Sequence, residues 1–266
     1  MTDTPPADGQ LSGNVLLYTQ PEPLNPELHG KLGLKRSPNP YKFAARTHAV
    51  PLQVTEFGPA AINYPIIFAG ESKQPMAIMS IRQGENLFIT TDGFFEPDAY
   101  VPAYLRRFPF VLADDPQNER LIVCVDRAAE ALVPGGEVAL FDGENPSEFT
   151  KSAIEFCTNF ETERQRTESF VKLMQELELF ELKEAFFTPT NADGSPAQPI
   201  RLADYFAVSE EKLKALPAAK LAELRDTGAL GQIYAQITSL FGWDKLVART
   251  LVRDGQVPGA VTAANN

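Results

Sequence analysis

The chain is poor in the residues that usually announce chemistry. Two cysteines in 266 residues exclude a disulfide-built scaffold, which needs a denser and paired set. The only histidines, His29 and His48, have no second ligand at zinc-type spacing. No apolar run approaches the roughly 18 residues of a membrane-spanning helix; the longest, Ile66–Ala69 and Leu121–Val125, are strand-sized. Basic residues are outnumbered, 24 Lys and Arg against 35 Asp and Glu for a net charge of −11. Such a balance opposes nucleic-acid binding, whose affinity rests on cations meeting phosphates. Phosphate loops, dinucleotide fingerprints, nucleophile elbows and calcium loops are missing as well. The Asp-Gly pairs at 92, 142, 193 and 254 read as turns. No catalytic residue, metal ligand or cofactor is therefore assigned.

What is present suits a folded chain. Hydrophobic residues make up 44% and charged residues 22% of it, which rules out disorder throughout and supports a sizeable core. The opening Met1–Gly9 is acidic and proline-rich, without the basic start and apolar core of a leader. A cytoplasmic location is expected, with the cell surface by a leaderless route as the alternative. Residues 1–13 and 257–266 read as disordered tails. Between them, 14–256 is expected to be a single α+β domain with a sub-boundary near 145.

Prolines at 21, 23, 26, 38, 40, 51, 59 and 65 forbid long helices early in the chain. Short strands are expected at Val15–Tyr18, Ala49–Val54 and Tyr64–Ala69. A hairpin follows, Pro75–Arg82 with Asn86–Thr90, then a short helix within Ala99–Phe108 and strands at Arg120–Val125 and Glu137–Phe141. From Phe149 to Leu177 apolar residues recur every three or four positions, apart from a charged gap at Arg164, predicting one long helix over roughly 146–183, capped by Asn145. Its charged face reads as solvated, with Glu168 and Lys172 spaced for an ion pair. Ala185–Thr190 and Pro199–Ala203 predict a hairpin around a turn at 191–194. Helices then enter at Ser209 and Pro217 and cover Ala229–Phe241 and Trp243–Leu251. The fold class is α+β: an antiparallel β-rich first half, a long helix, a hairpin and a helical end. Cys124 and Cys157 sit among apolar neighbours and read as small core residues.

Two features stand out as functional candidates. Leu28–Thr55 holds no acid, yet it carries Lys31, Lys35, Arg36, Lys42 and Arg46 with both histidines. In so acidic a chain this is a local positive field, suited to a carboxylate, a phosphate or an acidic segment. The other is Tyr100–Phe110, where Arg106 and Arg107 are bracketed by aromatics. Guanidinium groups there could grip an anion while rings stack on it, or could tie a loop to carbonyls or to Glu56. His48 stands eight residues before Glu56, close enough to meet it as base and orienter if the strand between folds back.

The segments His48–Leu52, Glu56-Phe57, Tyr64–Phe68, Gly84–Phe88 and, most specifically, Tyr100–Phe110 resemble the bacterial SapC family over roughly residues 14–250. They do not resemble the peptide-importer permease of the same name, which needs spanning helices. The resemblance implies a link to bacterial surface layers and brings no catalytic residues with it. Together these readings make the chain an accessory protein that docks a protein or peptide partner, an acidic segment being favoured. The candidate ligand-binding set is His48, Glu56, Tyr64, Tyr104, Arg106 and Arg107. A surface-layer component, or an enzyme acting on a small anionic substrate, are the alternatives. The oligomeric state is not fixed by the sequence.

Overall fold

The computed structural model describes residues 15–115, 120–189, 195 and 197–255. Both expected tails and the turn at 191–194 lie outside them. In chain order the elements begin with β1 (Pro21–Pro23), α1 (Pro26–His29), β2 (Leu32–Leu34) and a 3-10 turn at Lys42–Ala44. Next come β3 (Ala49–Pro51), a 3-10 turn at Val54–Glu56, α2 (Phe57–Ala60), β4 (Ile66–Ala69), β5 (Gln74–Ile78) and α3 (Ala103–Arg106). Then follow β6 (Phe110–Asp115), β7 (Arg120–Asp126), β8 (Leu132–Pro134), β9 (Val138–Ala139), β10 (Phe141–Asp142) and β11 (Asn145–Pro146). The long helix α4 (Glu148–Glu176) leads to β12 (Phe180–Phe187) and β13 (Ile200–Val208). The chain ends in α5 (Glu210–Lys214), α6 (Ala218–Asp226), α7 (Ala229–Ser239) and α8 (Gly242–Arg253). The class is the expected α+β, with antiparallel sheets, a long helix and a helical C-terminal region.

Two compact units share this chain: Met1–Pro38 with Arg107–Thr162, and Asn39–Arg106 with Glu163–Asn266. The first holds two small antiparallel sheets, ordered β1-β7-β6 and β8-β2-β9. Its core gathers Leu32, Phe110, Val125, Leu132, Leu140, Phe141 and Cys157. Gly33 lets β2 sit between β8 and β9, since a Cβ there would stand 2.6 Å from the Gly136 carbonyl oxygen and 2.8 Å from that of Val138. Residues 15–18 form a turn rather than the expected strand. Tyr18 is instead an anchor, its hydroxyl donating to the Phe110 carbonyl at 2.7 Å. The buried Asp126 carboxylate fixes the next two residues by accepting from the Thr19 and Gln20 amides, both at 2.9 Å.

The second unit is built on a five-stranded antiparallel sheet ordered β12-β13-β4-β5-β3. β13 and β4 meet at a single register pair, Phe206 with Phe68, so the ladder there is incomplete. Side chains of α7 complete it. Gln236 accepts from the Val208 amide (3.1 Å) and donates to the Ile66 carbonyl (2.9 Å), and Ser239 Oγ accepts from the Ile66 amide (2.9 Å). Both are fully buried, where an unpaired polar group costs about 1–3 kcal/mol. Phe57 stands edge-on to Phe170 of α4 at 5.9 Å, and Trp243, Leu246 and Val247 of α8 are buried.

The predicted periodicity of α4 holds, with Phe160, Thr167, Phe170 and Met174 buried. Its start differs: the Ser147 hydroxyl, not Asn145, accepts from the Thr150 amide at 3.2 Å, because Asn145 is held in a tight hairpin with Asp142. The helix ends at Glu176, since Leu177 and Glu178 turn the chain, Glu178 with φ 54°. On the solvated face Glu168 pairs with Arg164 and Lys172 with Glu176, rather than Glu168 with Lys172. Residues 86–90 form turns where a strand was expected. Asn86 is the cause: buried, it accepts from the Phe88 amide (2.9 Å) and donates to the Ala44 carbonyl (3.3 Å).

Candidate functional site

The site grows from a short acidic turn. Gln53 opens the 3-10 turn, and its amide donates to Glu56 Oε2 at 2.9 Å. Glu56 is only 5% exposed, and its other oxygen accepts from the Ala103 amide (2.7 Å) and the Tyr100 hydroxyl (2.8 Å). One buried carboxylate thus pins the first residue of α3 to the end of the 3-10 turn. Such charge-assisted bonds are roughly twice as strong as neutral ones. None of the three donors is His48.

Tyr100 links the remaining members. Its hydroxyl receives Arg106 Nη2 at 3.3 Å, while Arg106 Nε donates to the Val101 carbonyl at 3.0 Å. Its carbonyl accepts from the buried Tyr64 hydroxyl, and its amide donates to Asn63 Oδ1 at 3.0 Å. Burial, followed by the charge of Glu56, pushes the Tyr100 hydroxyl up to about 12, so it stays a donor at neutral pH. Burial raises Tyr64 further, against the opposing charge of Arg249. Tyr64 also stands edge-on to Phe88 at 4.5 Å. Tyr104 is buried in α3, which packs against β3. His48 immediately precedes β3, half-buried, its carbonyl accepting from the Met79 amide at 2.7 Å.

Glu56, Tyr64, Tyr104 and Arg106 thus belong to one connected framework, with His48 at the end of the strand beside it. Arg107 belongs to the other unit, where its guanidinium lies over the ring of Phe160 at 4.4 Å and that of Tyr18 at 5.6 Å. Sequence reading overlooked Tyr100 as the hub, although it opens the most specific segment. Nothing in the spacing of three nearby tyrosines tells which one reaches a carboxylate 44 positions away.

The part of the basic stretch that lies in this second unit forms a knuckle of residues 41–47, fixed by the Tyr41 amide on the Gly93 carbonyl (2.9 Å) and by Asn86 on Ala44. Tyr41 stands edge-on to Phe95 at 5.3 Å. Lys42 and Arg46 are exposed on the knuckle. Among the described residues neither has a carboxylate within 4.0 Å. Phe94, 49% exposed, adds an aromatic surface next to the glycine that supports Lys42.

The arrangement supplies cations and rings rather than a nucleophile. The thiols of Cys124 and Cys157 are pushed up by burial to about 12 and about 11, which leaves them protonated and unreactive. Among the described residues, no three His, Cys, Asp or Glu side chains are placed to share a metal ion. Among the described residues, no helix is long and apolar enough to cross a membrane.

Fold and site together define a two-unit α+β protein in which the buried Glu56 carboxylate holds Tyr100, Tyr100 receives the exposed Arg106, and a basic knuckle is exposed as well. The SapC family model matches residues 24–246, and the chain belongs to that family. No curated protein and no solved structure matches it.

Proposed function

We propose that this SapC-family chain is an accessory binding protein that docks an acidic segment of a peptide or protein. The docking surface is the basic and aromatic face made by Lys42, Arg46, His48 and Arg106 with Phe94. Glu56, Tyr64 and Tyr104 are its supporting framework, holding α3 and so placing Arg106. The observation that carries the reading is the exposure of Lys42 and Arg46 without carboxylates, among the described residues, in a chain of net charge −11. Cations left unneutralised in an acidic protein make a local positive field that attracts an acidic ligand.

A fluorescein-labelled peptide of alternating Asp and Phe, titrated with the full chain at low ionic strength, tests this. Binding that weakens as salt rises is expected. The double variant Lys42→Glu/Arg46→Glu should lose about tenfold or more in affinity, since unlike charges become like ones. Absence of binding at low salt, or equal binding by the double variant, would overturn the proposal.

A further inference from the structure

The open edge of the large sheet carries a separate inference. β12 is an outer strand: β13 pairs it on one side, and among the described residues no strand pairs it on the other. The Ser209 amide donates to the Leu179 carbonyl at 2.8 Å, which sets the alternation along the strand. Glu181 and Lys183 turn their backbone groups toward their register partners Ala207 and Tyr205, so Phe180, Leu182 and Glu184 turn theirs outward. The Phe180 carbonyl accepts Lys212 Nζ at 2.7 Å. Among the described residues, the backbone groups of Leu182 and Glu184 have no partner. The Leu182 side chain is itself 64% exposed.

Edges of this kind invite a second strand unless charge or a bulge prevents it. The bulge here lies at Ala185/Phe186, beyond the segment in question. The charges along 181–184 are arranged to favour one incoming strand in particular. Glu181 and Lys183 share a face and already pair along the strand at 2.9 Å. We propose that β12 is a self-association edge, taking β12 of a second copy in antiparallel register about a two-fold axis at Leu182.

In that register Leu182 exchanges both backbone hydrogen bonds with Leu182 of the second copy. Glu181 stands opposite Lys183 of the second copy, and Lys183 opposite its Glu181, at non-hydrogen-bonded positions where opposed residues approach most closely. Four charges then alternate in sign around the axis. Centring the pairing on Glu181, Lys183 or Glu184 instead sets a like charge against itself. The charge order therefore selects a single register, and an edge with no such order would not.

Sedimentation velocity on the full chain, over a concentration series reaching the high-micromolar range, tests the proposal. A reversible monomer–dimer equilibrium is expected. Either Glu181→Lys or Lys183→Glu alone places like charges opposite and should weaken association about tenfold, two pairs being lost per dimer. The combined swap Glu181→Lys/Lys183→Glu should restore it, a rescue that mere loss of folding would not give. In the unaltered chain, exchange of the Leu182 amide should slow as concentration rises. A chain that stays monomeric throughout would overturn the proposal, as would a swap as weak as the single variants. So would a dimer in which the Leu182 amide exchanges freely, or an edge that takes only foreign extended peptides.

Discussion

The helical C-terminal part of the chain and the stretch from Lys31 to Arg46 treat positive charge in opposite ways. From Lys151 to Arg253 every lysine and arginine has a partner. Most hold a carboxylate, as Lys151 does with Glu148, Lys214 with Glu210, Lys220 with Glu223 and Arg253 with Glu85. Lys212 and Lys245 donate to backbone carbonyls, and Arg249 lies over the Phe88 ring at 4.5 Å. Within Lys31–Arg46, only Arg36 comes near a carboxylate among the described residues, reaching Glu137 at 3.9 Å while 94% exposed. The difference is one of local supply. Helices place an acid three or four residues from each cation, whereas no acid occurs between Glu27 and Glu56. Charge satisfied within the fold adds a little stability, and charge left outward is available to something else.

The acid that closes the basic stretch offers the strongest way to break this contrast. Glu56 holds three donors in a buried place, so Glu56→Ala strands the Gln53 and Ala103 amides and the Tyr100 hydroxyl. A loss of about 3–5 kcal/mol is expected in urea unfolding. Glu56→Gln keeps an acceptor and should lose less. It should also let the Tyr100 hydroxyl titrate below about 12, followed by tyrosinate absorbance. A loss under about 1 kcal/mol for the alanine variant would show that α3 is held by packing alone.

A smaller effect separates the two regions directly. Arg201 bridges Glu184 (2.8 Å) and Asp204, so Arg201→Glu gathers three acids on one exposed patch and should cost about 1 kcal/mol. Lys42→Glu/Arg46→Glu breaks no pair and should change unfolding free energy by no more than about 0.5 kcal/mol. If the knuckle variant proved the more destabilised of the two, its cations would be structural and the docking proposal would lose its support.

The same contrast explains what could be read in advance. The C-terminal helices and α4 were legible because their signals are local: Ser209 accepts from the Lys212 amide as a cap, Gly228 enters α7 with φ 77°, and the apolar period of α4 matches its buried face. The first part of the chain was less legible because distant partners decide it. Residues 86–90 read as a strand by their apolar Leu87, Phe88 and Ile89, yet Asn86 is captured by Ala44. β2 exists only because Gly33 and Gly136 allow close approach. Of the site, the basic and aromatic residues could be named from composition. Arg106 and Arg107 are adjacent in sequence yet fall in different units, a division that spacing alone does not reveal. Tyr100 as hub required knowing which turn Glu56 closes.

The smallest expected effect lies at the far end of α8, at an ion pair partly open to solvent. Arg82 donates to both oxygens of Asp254, at 2.8 and 2.5 Å, and this hydrogen bonding holds the Asp254 carboxyl below its ordinary range. Because the folded-state value is the lower one, any stability from the pair is present above the unfolded value and fades as pH falls through the folded value. Arg82→Gln should therefore differ slightly from the unaltered chain at neutral pH and become indistinguishable from it in strong acid, as followed by thermal melts across pH. Carboxyl NMR should show Asp254 titrating higher in the variant. A difference that grew on acidification would mean that Arg82 acts by position and not by charge. The division between neutralised and outward-facing cations would then have to be redrawn to include it.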